Sequence, residues 1–347
     1  MAWLTVAVCG VGVMGKRHAE NVARAVPQAK LVAVADADRE RARAVAAELD
    51  VERSYGSIED MLQQPDIQAV VIASPGKFHA RDVEAAAARG KDILCEKPLA
   101  MKLADADAAL RAVQKAGVRL QVGHMRRYDP AYAEATRRIE AGEIGDPVVF
   151  KSVGRDQKLP PASYFQSGMN AMLFLDSSIH DFDLARWMMA DEVAELQAFG
   201  TRPITGFSDC DDVEAGVVNL RFERGAVGNV ESFRSCGYGY DIRTEVIGTK
   251  ATLQVGYIRQ TQLRIMTQSG IAHDAVTHWL DRFEDAYLLE LRDFVATMLS
   301  DRQPKVTGKD GRAALAISLA AERSYREKRP IRLSEQLERE LVAGRVT

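Results

Sequence analysis

Val8-Cys9-Gly10-Val11-Gly12-Val13-Met14-Gly15 follows an apolar run that begins at Leu4, and its reading decides the fold. Leu4 to Val8 reads as a strand that ends at Gly10, where the chain must bend sharply. Gly12 lets backbone approach a pyrophosphate, and Gly15 lets the next helix pack on the strand. A helix starting there aims unpaired N–H groups and the positive end of its dipole at phosphate oxygens. A second apolar run, Lys30 to Ala35, ends in Asp36, which stands 21 residues after Gly15, the spacing of an acid that takes ribose hydroxyls. The turn predicts a dinucleotide site. Asp36 is followed by Ala37 rather than arginine, which predicts NAD, with Arg39 nearby as the residue that would favour a 2′-phosphate.

The rest of the chain fits a soluble globular protein of two domains. Its 347 residues exceed what one core usually serves. Hydrophobic residues are 47% and charged residues 27%, ordinary for a globular protein. A net charge of −3, without a block of one sign, predicts neither nucleic acid nor membrane as a partner. No segment approaches the length of a membrane span, and the run Ile67 to Ala73 suits a buried parallel strand. The first residues enter strand pattern at once, so a cytoplasmic location is expected. Cys9, Cys95, Cys210 and Cys236 are scattered and suggest neither a disulfide framework nor a zinc site.

Strands at Leu4–Cys9, Leu31–Ala35, Ala69–Ala73, Asp92–Cys95 and Arg119–Val122 alternate with helical patterns at Lys16–Ala25, Arg39–Leu49, Phe78–Arg89 and Ala104–Ala116. This predicts a doubly wound parallel sheet of Rossmann type over residues 1–123. Residues 124–347 are expected to form an α+β domain with a large, mostly antiparallel open sheet. Its strands are read near Val148–Arg155, Glu192–Gly200, Asp212–Phe222, Ala226–Arg234, Asp241–Ile247 and Thr252–Tyr257. Helices are read at Ser177–Ala190, Asp281–Leu299 and Asp310–Glu327. An open face of such a sheet offers a substrate wall or a subunit interface.

In doubly wound sheets ligands bind outside the carboxyl ends of the strands. Besides the glycine turn and Asp36, those ends carry Ser74-Pro75 with His79 after it, Glu96-Lys97-Pro98, and Gly123-His124. Proline biases Lys97 to an extended backbone, and a desolvated lysine becomes able to exchange protons. Lys97 could also be a solvated surface charge. Asp176 and His180 are four residues apart, so in a helix they share a face and the acid can orient the imidazole. A helix cap and a core histidine are the alternatives. No metal is expected: Asp181 and Asp183 fall on other faces, and the acidic run Asp209, Asp211, Asp212 reads as a solvated turn. Arg126-Arg127 could bind anions or pair with acids.

Together the glycine turn, Asp36, Glu96-Lys97-Pro98, Gly123 to Pro130, Asp176 to Asp183 and Gly239-Tyr240-Asp241 resemble the Gfo/Idh/MocA oxidoreductases, above all their inositol dehydrogenase branch. The resemblance continues through Arg282-Phe283 and Asp310 to Ser324. It implies NAD-dependent oxidation of a secondary hydroxyl of a cyclic, inositol-like polyol to a ketone. It also implies a homotetramer built through the large sheet. His180 would be the general base, Lys97 a hydrogen-bond donor and proton relay, and Asp176 a group that binds and orients. Cofactor contacts are expected from Gly10, Gly12, Val13, Met14, Gly15 and Asp36, and from Ser74, Pro75, His79, Glu96, Lys97 and Met125. Substrate contacts are expected from Lys97, Arg127, Asp156, Asp176, His180 and Tyr240. One departure concerns Ser167 to Leu175: the segment before Asp176 is longer and more apolar than in inositol dehydrogenases. That leaves a pyranose or anhydrosugar as alternative substrate. Separately, NAD-dependent glycoside hydrolysis on the same scaffold and NAD sensing without turnover are alternative roles.

Overall fold

Strand β1 (Leu4–Cys9) runs into helix α1 (Val13–Arg24) through the glycine turn, and the same alternation builds the whole first unit. It continues with β2 (Ala29–Ala35), α2 (Arg39–Glu48), β3 (Arg53–Tyr55), α3 (Ile58–Met61), β4 (Ala69–Ile72), α4 (His79–Ala88), β5 (Asp92–Glu96), α5 (Leu103–Ala116) and β6 (Leu120–Gly123). The computed structural model describes residues 3–159, 172–201, 212–257, 259–300 and 302–336. All six strands are parallel, in the order β3-β2-β1-β4-β5-β6. Helices cover both faces, so β4 is buried at every residue; this is why it reads as a continuous apolar run. The order reverses between β1 and β4, and the glycine turn and Ser74-Pro75 both follow strands at that switch point.

Two elements here are absent from the pattern read above: β3 is three half-buried residues, and α3 is a single turn capped by Ser57, which accepts the Asp60 N–H at 3.2 Å. The first unit takes in Met1–Tyr128 and Asp285–Leu315. The returning segment belongs to α9 (Trp279–Met298), whose Leu291, Phe294, Val295 and Met298 recur on one helical face and join the core around Val6, Val8 and Val34. The Val306 carbonyl then accepts the Val122 N–H at 3.1 Å, tying the segment to β6.

The second unit comprises Asp129–Glu284 and Ala316–Thr347. It opens with α6 (Pro130–Glu140), an element absent from the pattern read above although its start signal is present. Asp129 caps it, accepting from the Ala131 and Tyr132 N–H groups at 3.0 and 3.2 Å, and Pro130 occupies its first turn. There follow β7 (Pro147–Arg155), α7 (Leu173–Asp176), α8 (Ile179–Met189), β8 (Val193–Thr201), β9 (Ala215–Phe222), β10 (Val227–Phe233), β11 (Asp241–Gly248) and β12 (Thr252–Gly256). The exposed hairpin β13 (Arg264–Thr267) and β14 (Gly270–His273), α10 (Gly308–Glu327) and β15 (Ile331–Arg332) complete the elements. Seven strands form one sheet, β12-β11-β7-β10-β9-β8-β15, antiparallel at every pair except β7 with β10.

Period two governs its two faces. Gly216, Val218, Leu220 and Phe222 of β9 are buried, whereas Val217, Asn219 and Arg221 between them are exposed. On the exposed face Phe199 stands opposite Val217, and Val227 opposite Arg221 and Val149. Among the described residues no helix is long and apolar enough to cross a membrane.

Candidate active site

Each glycine of the turn answers a different steric demand. Gly10 has a φ of +81°, and a Cβ there would lie 2.5 Å from the Ser74 nitrogen. A Cβ on Gly15 would stand 1.6 Å from the Gly10 carbonyl oxygen, so α1 can sit on the turn only without one. Around Gly12 nothing lies within 4 Å, which is the open approach a pyrophosphate requires. Gly12 is also the N-cap of α1 and carries no capping side chain, so the first-turn N–H groups face outward for an anion. Val13 is exposed and Met14 half-buried in that first turn.

Asp36 lies at the end of β2 and closes the turn. Its Oδ2 accepts the Val11 N–H at 2.9 Å and its Oδ1 the Asp38 N–H at 2.9 Å. Each oxygen has a further lone pair for a ribose hydroxyl. The cation beside it is Arg41, at 3.4 Å, not Arg39, whose side chain lies against Gly56.

Ser74 donates to Asp82 at 2.6 Å, and Pro75 leads into a single 3₁₀ turn, Gly76–Phe78. His79 is buried with its two ring nitrogens against the Pro98 and Ser74 carbonyl oxygens, at 2.7 and 2.6 Å. It thus ties the loop after β4 to the loop after β5. Glu96 ends β5; its Oε2 accepts the Lys97 N–H at 3.3 Å and its Oε1 meets His18 Nε2 at 2.7 Å. Lys97 is half-buried, and the Lys97–Pro98 bond is cis. Met125 and Arg127 share the 3₁₀ turn Met125–Tyr128; Met125 is buried, and Arg127 pairs with Asp310 at 3.1 Å. Burial drives the Cys9 and Cys95 thiols far above their ordinary range, so both are inert core groups.

In the second unit Asp176 and His180 are not on one helix. Asp176 ends α7 and His180 is the second residue of α8, with Ser177 and Ser178 between. Both serine N–H groups reach the Leu173 carbonyl, at 3.0 and 3.1 Å, and the Ser178 hydroxyl pairs with that of Ser232 at 2.7 Å. The Ser178 hydroxyl also donates to the Leu173 carbonyl at 3.4 Å, competing with regular helical bonding. Ser177 also donates to Asp156 at 3.3 Å. Asp156 continues the end of β7, its N–H bonded to Phe233 and its carbonyl to Cys236. Tyr240 is buried edge-on to Phe283, with its N–H on the Val276 carbonyl at 2.7 Å.

Arg234 is the residue that pattern reading missed. Its side chain is only 2% exposed, 3.0 Å from Asp212 and 3.9 Å from Asp176. Asp212 in turn accepts the Leu173 N–H, so it secures the start of the helix that ends in Asp176. The expectation of a solvated acidic turn fails for Asp212: it is buried, and desolvation raises its pKa even though Arg234 opposes. Asp209 and Asp211 lie outside the described residues, as does most of the long segment, 167–171. The described remainder is core rather than substrate wall, since Leu173, Phe174 and Leu175 are buried and Phe174 packs on Gly216.

Comparisons with known proteins agree over nearly the whole length. A model of the oxidoreductase family with NAD-binding Rossmann fold matches residues 4–124, and one of the GFO/IDH/MocA C-terminal domain matches 132–254. The chain is 39% identical over 328 residues to scyllo-inositol 2-dehydrogenase (NAD(+)) of Bacillus subtilis, covering 94% of this chain and 95% of that one. It is 35% identical over 334 residues to myo-inositol 2-dehydrogenase of Thermotoga maritima, covering 96% and 99%. Scyllo-inositol dehydrogenase of Lactobacillus casei, solved with bound NAD(H) and scyllo-inositol, superposes with a TM-score of 0.91 at 28% identity, over 96% of this chain and 99% of that one.

Proposed function

Because the chain belongs to the Gfo/Idh/MocA family of oxidoreductases, we propose that it oxidises a secondary hydroxyl of a cyclic, inositol-like polyol to the ketone, with NAD as cofactor. One structural observation carries the cofactor half: a side-chain-free helix start at the sheet's switch point, with a carboxylate closing the turn. The polyol half rests on similarity to inositol dehydrogenases that spans both units.

The residues fit the cofactor. The N-terminus of α1 at Gly12 would hold the pyrophosphate and Asp36 the ribose hydroxyls, which disfavours a 2′-phosphate. Bound NAD supplies the hydride acceptor, and the protein supplies orientation and proton transfer. In the proposed mechanism His180 takes the hydroxyl proton, Lys97 donates a hydrogen bond to the reacting oxygen and relays the proton, and Asp176 orients the substrate. Arg127, Asp156 and Tyr240 are proposed to bind the remaining hydroxyls.

An absorbance screen at the NADH band with myo-inositol, scyllo-inositol, glucose and levoglucosan tests this reading, with NADP run in parallel. An inositol should give net NADH, and Lys97→Ala and His180→Ala should each lower kcat by about 10²–10⁴-fold. Cleavage of a glycoside without net NADH would replace the reading with redox-assisted hydrolysis, and unchanged turnover in both variants would refute the assigned roles. We also propose a cytoplasmic homotetramer assembled through the exposed sheet face of Phe199, Val217 and Val227, residues 54%, 38% and 48% exposed. Light scattering should give four times the chain mass, and Val217→Lys should lower it; a monomeric wild type would refute it.

A further inference from the structure

Glu290 is fully buried in α9, and the mechanism above does not use it. It lies in the first unit with His18 of α1 and Glu96 of β5, one ligand-type atom of each within 4.8 Å of the others, all three buried. Two carboxylates this close, out of water, cannot both be charged without a compensating cation. The geometry decides what compensates. His18 Nε2 and Glu96 Oε1 are 2.7 Å apart, a hydrogen-bond distance. Ligands at about 2.0–2.2 Å around one tetrahedral zinc would stand more than about 3 Å from each other. The cluster is therefore built around protons.

Its surroundings assign them. His18 donates to Glu96 from one side; the Lys97 N–H donates from another, and Gly123 closes in so tightly that a Cβ there would be 3.1 Å from Glu96 Oε2. Burial opposes the Glu96 charge, but the His18 hydrogen bond and the nearby Lys97 and His79 outweigh it and hold this carboxyl below its usual range. Among the described residues Glu290 has no such donors: burial, then the Glu96 charge, push it well above the carboxylate range. The other titratable groups around the cluster do not reverse this. Tyr128, raised by burial and by Glu290 and Asp293, stays a neutral phenol; Cys95 stays a neutral thiol; Arg127 is engaged by Asp310.

We propose that Glu290 is a positioning residue: it carries a proton, so that Glu96 is the one charged carboxylate of the pair, locked against the Lys97 amide. Loss of the Glu290 proton sets two buried carboxylates against each other and loosens the turn that carries Lys97. The functional half of this inference rests on the role proposed for Lys97; the protonation half does not.

The test uses the full-length enzyme, wild type against Glu290→Gln, with Glu96→Gln as second variant. Infrared spectra at neutral pH should show a protonated carboxyl band in the wild type that Glu290→Gln removes. In Glu96→Gln the same band should titrate at lower pH, because the neighbouring charge is gone. Glu290 is raised in the folded state, so its contribution is intact below the unfolded carboxylate pKa and is lost as pH rises toward the folded one. Glu290→Gln should therefore gain unfolding temperature over wild type progressively with pH. Its kcat/KM should match wild type near neutrality, with the alkaline limb moved upward by about one unit or more. Absence of the band, unfolding curves that stay parallel at all pH, or a stoichiometric metal ion in the purified enzyme would overturn the protonation. An unmoved alkaline limb with the band present would overturn only the link to Lys97. An active Lys97→Ala variant would sink the proposed mechanism and leave the proton where it is placed.

Discussion

The turn after β1 and the end of α7 both present polar groups at the end of a secondary element, and they do so by opposite means. The first is made of backbone: Gly10, Gly12 and Gly15 are needed for what they lack, and Asp36 closes the turn from 25 residues away. The second is made of side chains. Asp176 stands at the end of a one-turn helix whose first N–H is held by Asp212, 39 residues on, with Arg234 buried beside both carboxylates. A backbone site is fixed by short-range sterics and tolerates almost no change. A charge-held site is fixed by balance, so damage to one partner can be offset at another.

The contrast breaks most visibly at Gly15. Gly15→Ala places a carbon 1.6 Å from the Gly10 carbonyl oxygen, a backbone atom that cannot turn aside without undoing the β1–α1 junction. The expected cost is more than about 4 kcal/mol, with loss of cofactor binding, measured by urea unfolding and NAD titration. Gly12→Ala is the control. Its Cβ meets nothing within 4 Å, so the fold should survive with an unfolding midpoint near wild type while NAD affinity falls. If both variants fold and bind alike, the glycines are not acting as separate steric parts.

The same difference decides what could be read from sequence. The glycine turn, Asp36 and the parallel strands are legible because each is a local pattern of known spacing. Six of the seven large-sheet strands were legible from alternation, but the two-residue β15 was not, nor was the parallel pairing of β10 with β7, because alternation fixes faces and not neighbours. β3 is too short to show a period, and α6 was passed over although Asp129-Pro130 is a strong start signal. The break between Asp176 and His180 could have been suspected from Ser177-Ser178. Arg234 had no local signal at all: its partners lie 22 and 58 residues away. Glu290 had no local signal either, because the groups around it, His18 and Glu96, come from distant parts of the chain.

A smaller effect should follow from Arg234→Met, and it sharpens the comparison because it should be reversible. The variant leaves Asp212 buried and facing Asp176 without a cation, which for a broken buried pair costs about 3–5 kcal/mol. The sign of its pH dependence follows from Asp212. Burial already raises this carboxyl, with Arg234 holding it back, so its contribution is intact at acid pH and declines as pH rises through the folded-state value. Removing Arg234 raises it further, so the stability gap to wild type should widen from acid to neutral pH. Asp212→Asn in the Arg234→Met background removes the stranded charge yet keeps a carbonyl oxygen for the Leu173 N–H. The double variant should recover much of the loss and flatten the pH dependence, as read by urea unfolding across that range. Recovery of the fold without recovery of KM would show that Arg234 also sets the orientation of Asp176. A double variant no more stable than Arg234→Met would mean that Arg234 acts by filling space, and the second site would then be as unforgiving as the glycine turn.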